Sequence, residues 1–186
     1  MPINKKLKSE VRSPKAIIHA ITGDGQGKTT ASLGLALRAL GAGKRVKIIQ
    51  FMKKGDSSEF KAIKKYKLPI DAETFGIGFY EILGDTHTKL EHKNACERGL
   101  MAAHKTIESG RYNVVILDEI NVAMGFKLLD VNSVIAILKS AKNMDIVLTG
   151  RRAPAKIKNL AHRVSEVRSV KNYFDTGWSA REGIEY

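Results

Sequence analysis

Cysteine, aromatic residues and acid are all scarce in this chain. Cys96 is the single cysteine among 186 residues, so no disulfide can close within the chain, and a reducing cytosol is the expected setting. Aromatic residues make up 6%, and no stretch interleaves them with basic side chains as a base-stacking platform requires. Asp and Glu number 19 against 32 Lys and Arg, for a formal charge of +13. Apolar runs are short, none near the ~20 residues that a membrane helix needs. The first residues, MPINKKLKSEVRSPK, lack the apolar segment of a secretory signal. These absences speak against a disulfide-stapled scaffold, a membrane span and a secreted chain.

What is present suits one folded domain. The length is ordinary for a single domain, and 43% hydrophobic residues supply a core. The basic excess fits several anions: nucleic acid, a nucleotide triphosphate or an acidic partner. Its lysines are scattered at 5, 6 and 8, at 44 and 47, at 53 and 54, and at 61, 64, 65 and 67. That spread reads as a lysine-rich surface rather than a nucleic-acid footprint.

Residues 1–15 are polar and charged and read as a basic N-terminal arm; residues 16–186 read as one α/β domain. Short apolar strands are expected at Ile17–Ile21, Val46–Phe51, Ile70–Phe75, Val114–Leu117, Ile146–Thr149 and Val164–Val170. Between them, helical spacing marks Thr29–Leu40, Asp56–Tyr66, Glu91–Ser109, Asp130–Ser140 and Pro154–Ala161. Strands that are apolar throughout, alternating with helices, predict a mainly parallel sheet covered by helices on both faces.

Three strand ends carry the chemistry, because ligands of such sheets gather at the carboxyl ends of strands. The first is TGDGQGKTT, Thr22–Thr30, a turn from a strand into a helix. The common phosphate loop is G-x-x-x-x-G-K-[ST], and here Thr22 stands where its first glycine belongs. Gly23, Gly25 and Gly27 still let backbone N–H groups converge on an anion, with Asp24 and Gln26 between them. Lys28 adds a point charge toward phosphates, and Thr29 a hydroxyl suited to Mg²⁺ (or Mn²⁺). The second is VVILDE, which delivers Asp118 and Glu119 as metal-binding acids beside that loop. The third is TGRRAP, Thr149–Pro154, where Arg151 or Arg152 can pair with a phosphate.

Other groups point less clearly. His87, His92 and Cys96 are loosely spaced for zinc, but no fourth ligand is evident. No Ser-His-Asp order stands out. Phe79, Tyr80, Met124, Phe126 and Trp178 fall in loops or near strand ends; they are either packing residues or the lining of an apolar pocket. The motifs thus predict ATP or GTP binding without saying where the nucleotide is attacked. A kinase or NTPase directs a nucleophile at the γ-phosphorus. Attack at the ribose C5′ would instead make the triphosphate a leaving group.

TGDGQGKTTASLGLALRALGAGKRVKIIQFMKKG, FGIGF, VILDEINVAM, VLTGRRAP and HRVSEVRSVKNYFDTGWSAREGIEY, in that order, resemble the ATP:corrinoid adenosyltransferases of the CobA/BtuR type. The likeness runs from Ala16 over nearly the whole chain, and the family shares the threonine-glycine start of the loop. The resemblance implies a P-loop fold, RecA-like and Rossmann-like. It implies transfer of the 5′-deoxyadenosyl group of MgATP to the cobalt(I) of a corrinoid, with triphosphate released. Gly25, Gly27, Lys28, Thr29 and Thr30 then hold the triphosphate, Thr29 and Glu119 the metal with Asp118 next, and Arg151 a phosphate. Lys28, Thr29 and Glu119 are the expected catalytic group. Glu166 and Asp175 match family positions without an assigned role. Many relatives have Gly-Phe-Thr-Trp where this chain has Gly78–Glu81, GFYE: Phe79 is kept and Glu81 replaces tryptophan. In the family those aromatics displace the lower ligand of cobalt, so Phe79 and Tyr80 are expected on the corrinoid side, with Tyr80 or Trp178 to compensate. A reductase supplying electrons to cobalt, a homodimer with the arm near the active site, and a cytoplasmic location are further implications. The competing reading is a RecA-like NTPase stimulated by nucleic acid, suggested by the charge alone.

Overall fold

A computed structural model describes residues 15–78, 80–81, 85–172 and 177–184. Positions 1–14 of the expected arm, Phe79 and Asp175 lie outside the described residues. Six strands are seen: β1 (Ile17–Thr22), β2 (Val46–Gln50), β3 (Ile70–Thr74), β4 (Val114–Asp118), β5 (Asp145–Thr149) and β6 (Arg163–Glu166). They form one sheet in the order β3-β2-β4-β5-β1-β6, and every pairing is parallel. Parallel strands need crossovers, and helices provide them. These are α1 (Lys28–Gly41), α2 (Ser58–Lys65), α3 (Lys89–Glu108), α4 (Ile120–Gly125), α5 (Val131–Ser140) and α6 (Ala155–Leu160).

The apolar strands fill two cores because successive side chains point to opposite faces. On one face Val46, Ile48, Val114, Ile116 and Val147 pack with Ala36 and Ala39 of α1 and Ile63 of α2. On the other, Ile49, Val115, Leu117, Ile146 and Leu148 pack with Ala103 and Ile107 of α3, Val134 and Leu138 of α5, and Ile157 of α6. Each fully buried Ile or Leu contributes roughly 1.5–3 kcal/mol, so both faces are needed to hold the sheet.

Three of the differences from expectation have a local cause. The third helix begins at Lys89 because Thr88 caps it: Glu91 N–H donates to Thr88 Oγ1, and the Glu91 carboxylate accepts from Thr88 N–H. α4 was not foreseen; it follows its N-cap Glu119, which turns the chain with φ 63. β6 stops at Glu166, four residues before the expected end, because the chain then leaves the ladder to cross the phosphate loop.

The topology sets the site. Passing from β1 to β2, α1 lies over the intervening β4 and β5. The amino end of α1 therefore stands above the carboxyl ends of those two strands. No helix among the described residues is long and apolar enough to cross a membrane.

Candidate active site

The loop between β1 and α1 owes its shape to what crosses it. Val167 N–H donates to Thr22 O at 2.8 Å, and Gly25 N–H donates to Val167 O at 2.9 Å. A Cβ on Gly23 would sit 2.3 Å from Val167 O, and one on Gly25 would sit 2.7 Å from the Arg168 carbonyl carbon. Glycine at 23 and 25 thus admits the chain after β6. Gly27 differs: it takes φ 101 as it caps α1, and nothing lies within 4 Å of where its Cβ would be. Thr22 is buried, and its Oγ1 accepts the N–H of Ala153 at 3.2 Å. The threonine that departs from the common pattern ties the loop to the TGRRAP turn.

Lys28 is also mostly buried, and its Nζ donates to Gly25 O at 2.6 Å. Burial, helped by the nearby Arg151 charge, lowers its pKa. Beside it Thr29 Oγ1 donates to Asp118 Oδ1 at 2.9 Å, the contact that α1 makes by lying over β4.

Asp118 is 1% exposed and fully engaged. Thr149 Oγ1 donates to its Oδ1 at 2.7 Å, and Gln50 Nε2 donates to its Oδ2 at 2.9 Å. Gln50 is its register partner across β2–β4, so the sheet itself brings the two together. Thr149 also accepts the Glu119 N–H at 3.0 Å. That bond steadies Glu119 in a left-handed conformation which strains a non-glycine residue by about 1–2 kcal/mol. Glu119 lines the cavity, with its carboxylate against Lys53. Burial raises its pKa, opposed by Lys53.

Lys53 completes the cluster. Its Nζ is 3.3 Å from Glu119 Oε1, 3.6 Å from Asp118 Oδ2 and 3.3 Å from Thr29 Oγ1, to which it donates. Burial alone would lower its pKa, but Asp118 and Glu119 outweigh that and the net shift is upward. Sequence reasoning passed over Lys53, Gln50 and Asn121. The available signal was position: Gln50 ends β2 beside Asp118, and Lys53 follows it by three residues at the same sheet edge as LDE. Asn121 is buried on α4, with Nδ2 at 3.4 Å from Gly150 O and 3.5 Å from Leu148 O.

These groups border a cavity of about 510 Å³. Gly25, Gln26, Gly27, Lys28, Thr29 and Thr30 form one wall with Lys53, Glu119 and Arg151. Thr22 and Asp118 lie behind that wall, and Gly23 and Asp24 do not reach it. Glu59, Tyr80, Glu81, Val122, Phe126, Arg152 and Ile184 line the rest of the cavity. Tyr80 meets Phe126 edge to face at 5.5 Å and His92 at 5.2 Å, and the Arg152 guanidinium covers Phe126 at 5.1 Å. Both arginines of TGRRAP therefore border the cavity, Arg152 on the aromatic side. Trp178 is largely exposed and is not part of the lining. Met124 is buried in the core. Glu166, exposed on β6, pairs with Arg168 at 3.2 Å.

The zinc alternative finds its residues otherwise engaged. His92 Nε2 lies 3.0 Å from Asp85 Oδ2, and Cys96 packs in the core against Met52, where burial pushes its thiol up to about 12. Among the described residues no three His, Cys, Asp or Glu side chains group to hold a metal. Thr29, Asp118 and Glu119 offer a different set: one hydroxyl and two carboxylates, all hard oxygens. That suits a magnesium-like ion which takes its remaining ligands from phosphate and water. The Lys53 ammonium lies among these three oxygens.

Comparison with known proteins agrees over nearly the whole length. A family model for the ATP:corrinoid adenosyltransferases BtuR/CobO/CobP matches residues 14–186. The corrinoid adenosyltransferase of Escherichia coli K12 is 31% identical over 180 residues, which cover 96% of this chain and 89% of that one. The corrinoid adenosyltransferase CobA of Salmonella typhimurium LT2 is 30% identical with the same coverage. A corrinoid adenosyltransferase from Sinorhizobium is 30% identical over 186 residues, covering 98% of this chain and 86% of that one.

Proposed function

The chain belongs to the ATP:corrinoid adenosyltransferase family, and from that premise we propose how its cavity transfers the 5′-deoxyadenosyl group of ATP to a corrinoid. Cobalt(I) gives its electron pair to C5′ as the cobalt–carbon bond forms. The C5′–O bond breaks, and its electrons leave with inorganic triphosphate. No proton moves at the reacting carbon, so no general base is required. One observation carries the reading: a single cavity joins a phosphate-binding wall to an aromatic wall.

The leaving group is the part of ATP that the protein grips. The backbone of Gln26 and Gly27 and the amino end of α1 face the triphosphate, while the Gly25 N–H is held by Val167 O. Lys28 and Arg151 oppose the charge that grows on it as it departs, the kind of stabilisation that lowers a barrier most. Thr29, Asp118 and Glu119 are the residues that would hold a magnesium or manganese ion. Such an ion would supply further positive charge beside the phosphates. Thr22, Thr149 and Asn121 support the turn that presents Arg151. Tyr80, Phe126 and Val122 receive the corrin face, with Phe79 next to Tyr80 in sequence. Glu81 brings a carboxylate to the position where many relatives have tryptophan. It is suited to accept the N–H groups of the amide side chains that rim a corrin ring.

A reductase that brings cobalt to the +1 state, a homodimer and a cytoplasmic location belong to the same reading. The nucleic-acid-stimulated NTPase is disfavoured by the family and by an aromatic wall that γ-phosphate hydrolysis does not use. The direct test is incubation with ATP, Mg²⁺ and chemically reduced cobalamin. A light-sensitive cobalt–carbon product is expected; failure to form it refutes the proposal.

A further inference from the structure

Lys53 contacts each of the groups that would hold a divalent cation. Its ammonium contacts Thr29 Oγ1 at 3.3 Å, Glu119 Oε1 at 3.3 Å and Asp118 Oδ2 at 3.6 Å. Those are the three groups with the chemistry to hold a hard metal ion. An ammonium and a divalent cation cannot share them, since two positive charges so close in a partly buried site repel strongly. Lys28, the other lysine of the site, is not in competition: its Nζ is bonded to Gly25 O within the loop.

The backbone at Lys53 is fixed. Its N–H donates to Phe51 O at 2.7 Å, and its carbonyl accepts from Thr74 Oγ1 at 3.0 Å. A Cβ on Gly76 would be 2.3 Å from both Lys53 N and Lys53 O, so glycine there lets the two segments touch. Any exchange of Lys53 for another cation is therefore a rotation of the side chain alone. Lys53 also lines the cavity, so a displaced ammonium faces the space assigned to the phosphates.

We propose that Lys53 is a built-in counter-ion that keeps a divalent cation out of the site until the triphosphate arrives. Phosphate charge entering the cavity draws the ammonium off Asp118 and Glu119. The metal takes its place, and Lys53 then contacts the phosphates. Metal and nucleotide load together, and metal alone binds poorly. The inference rests on the triphosphate reading of this cavity.

The test is Mn²⁺ binding to the full chain, followed by electron paramagnetic resonance, with and without ATP. Without ATP, Lys53→Met should bind Mn²⁺ about tenfold or more tightly than the wild type. Lys53→Arg, which keeps the charge, should show no gain. With ATP the order should reverse, and Lys53→Met should hold Mn²⁺–ATP about tenfold more weakly. Mn²⁺ affinity that is unchanged or lower in Lys53→Met without ATP overturns the proposal. So does an equal gain in Lys53→Arg, or unchanged Mn²⁺–ATP affinity in Lys53→Met. Thermal melting checks each variant first, and Lys53→Gln replaces Lys53→Met if the latter does not fold. The readout needs neither corrinoid nor turnover. A chain that makes adenosylcorrinoid without the reversal refutes only the role of Lys53, whereas the reversal without adenosyl transfer refutes only the proposed reaction.

Discussion

On one side of the cavity Asp118 has both oxygens occupied by partners from β2, β5 and α1; on the other, Tyr80, Phe126 and Arg152 meet through a ring edge and a stacked guanidinium. The first side is made of strand ends, fixed by sheet register. The second comes from the connection before α3, from α4 and from the chain's last residues, with few directed bonds. On the proposed reading the difference follows the chemistry. A leaving group is stabilised by charges and dipoles already in place, because reorienting them during reaction would raise the barrier. A broad macrocycle is held by shape and area, which ring contacts supply without fixed donors.

That contrast can be broken from either side. The largest effect should come from Asp118→Ala, which leaves Thr29, Thr149 and Gln50 without their acceptor and Lys53 with Glu119 alone. Loss of about 3–5 kcal/mol of stability is expected by denaturant unfolding; a neutral result would mean the phosphate wall is not held by this carboxylate. Lys28→Ala should preserve the fold and lower turnover by about 10²–10³-fold, or about 2.7–4 kcal/mol of barrier. Unchanged turnover in steady-state assays would remove the loop from the reaction.

Gly23→Ala should destabilise by about 1–3 kcal/mol, because the methyl group meets Val167 O and φ is 98. A crossing at Val167 that is merely incidental would leave its melting temperature unaltered. Glu81→Gln should have the smallest effect. It should leave the KM for ATP unchanged and shift the KM for corrinoid a few-fold, about 1 kcal/mol. A change in the ATP constant instead would put Glu81 on the phosphate side and blur the two walls.

The phosphate side was also the more legible in sequence. TGDGQGKTT and VVILDE each follow an apolar strand, so strand-end position and residue type together located Lys28, Thr29, Asp118 and Glu119. Lys53 escaped because FMKKG contains no pattern besides its place after β2, and two adjacent lysines look like ordinary surface. α4 escaped because a six-residue helix shows little periodicity, and the bend at Glu119 that starts it depends on Thr149, distant in sequence. A further role of Gly23 and Gly25 escaped for a related reason. Both were read as opening the loop to an anion; each also gives way to residues 167–168, which only the fold brings near. The aromatic side yielded names without an arrangement. Tyr80 and Phe126 touch across 46 residues of chain, and Trp178, an equal candidate by composition, lies outside the cavity.

The central claim is that the gripped end of ATP is the end that leaves. Phosphorus NMR of a single turnover with ATP, Mg²⁺ and cobalt(I) corrinoid addresses it most directly. Inorganic triphosphate should appear in equal amount to the adenosylated corrinoid, with no ADP. ADP and orthophosphate as the products would contradict the account.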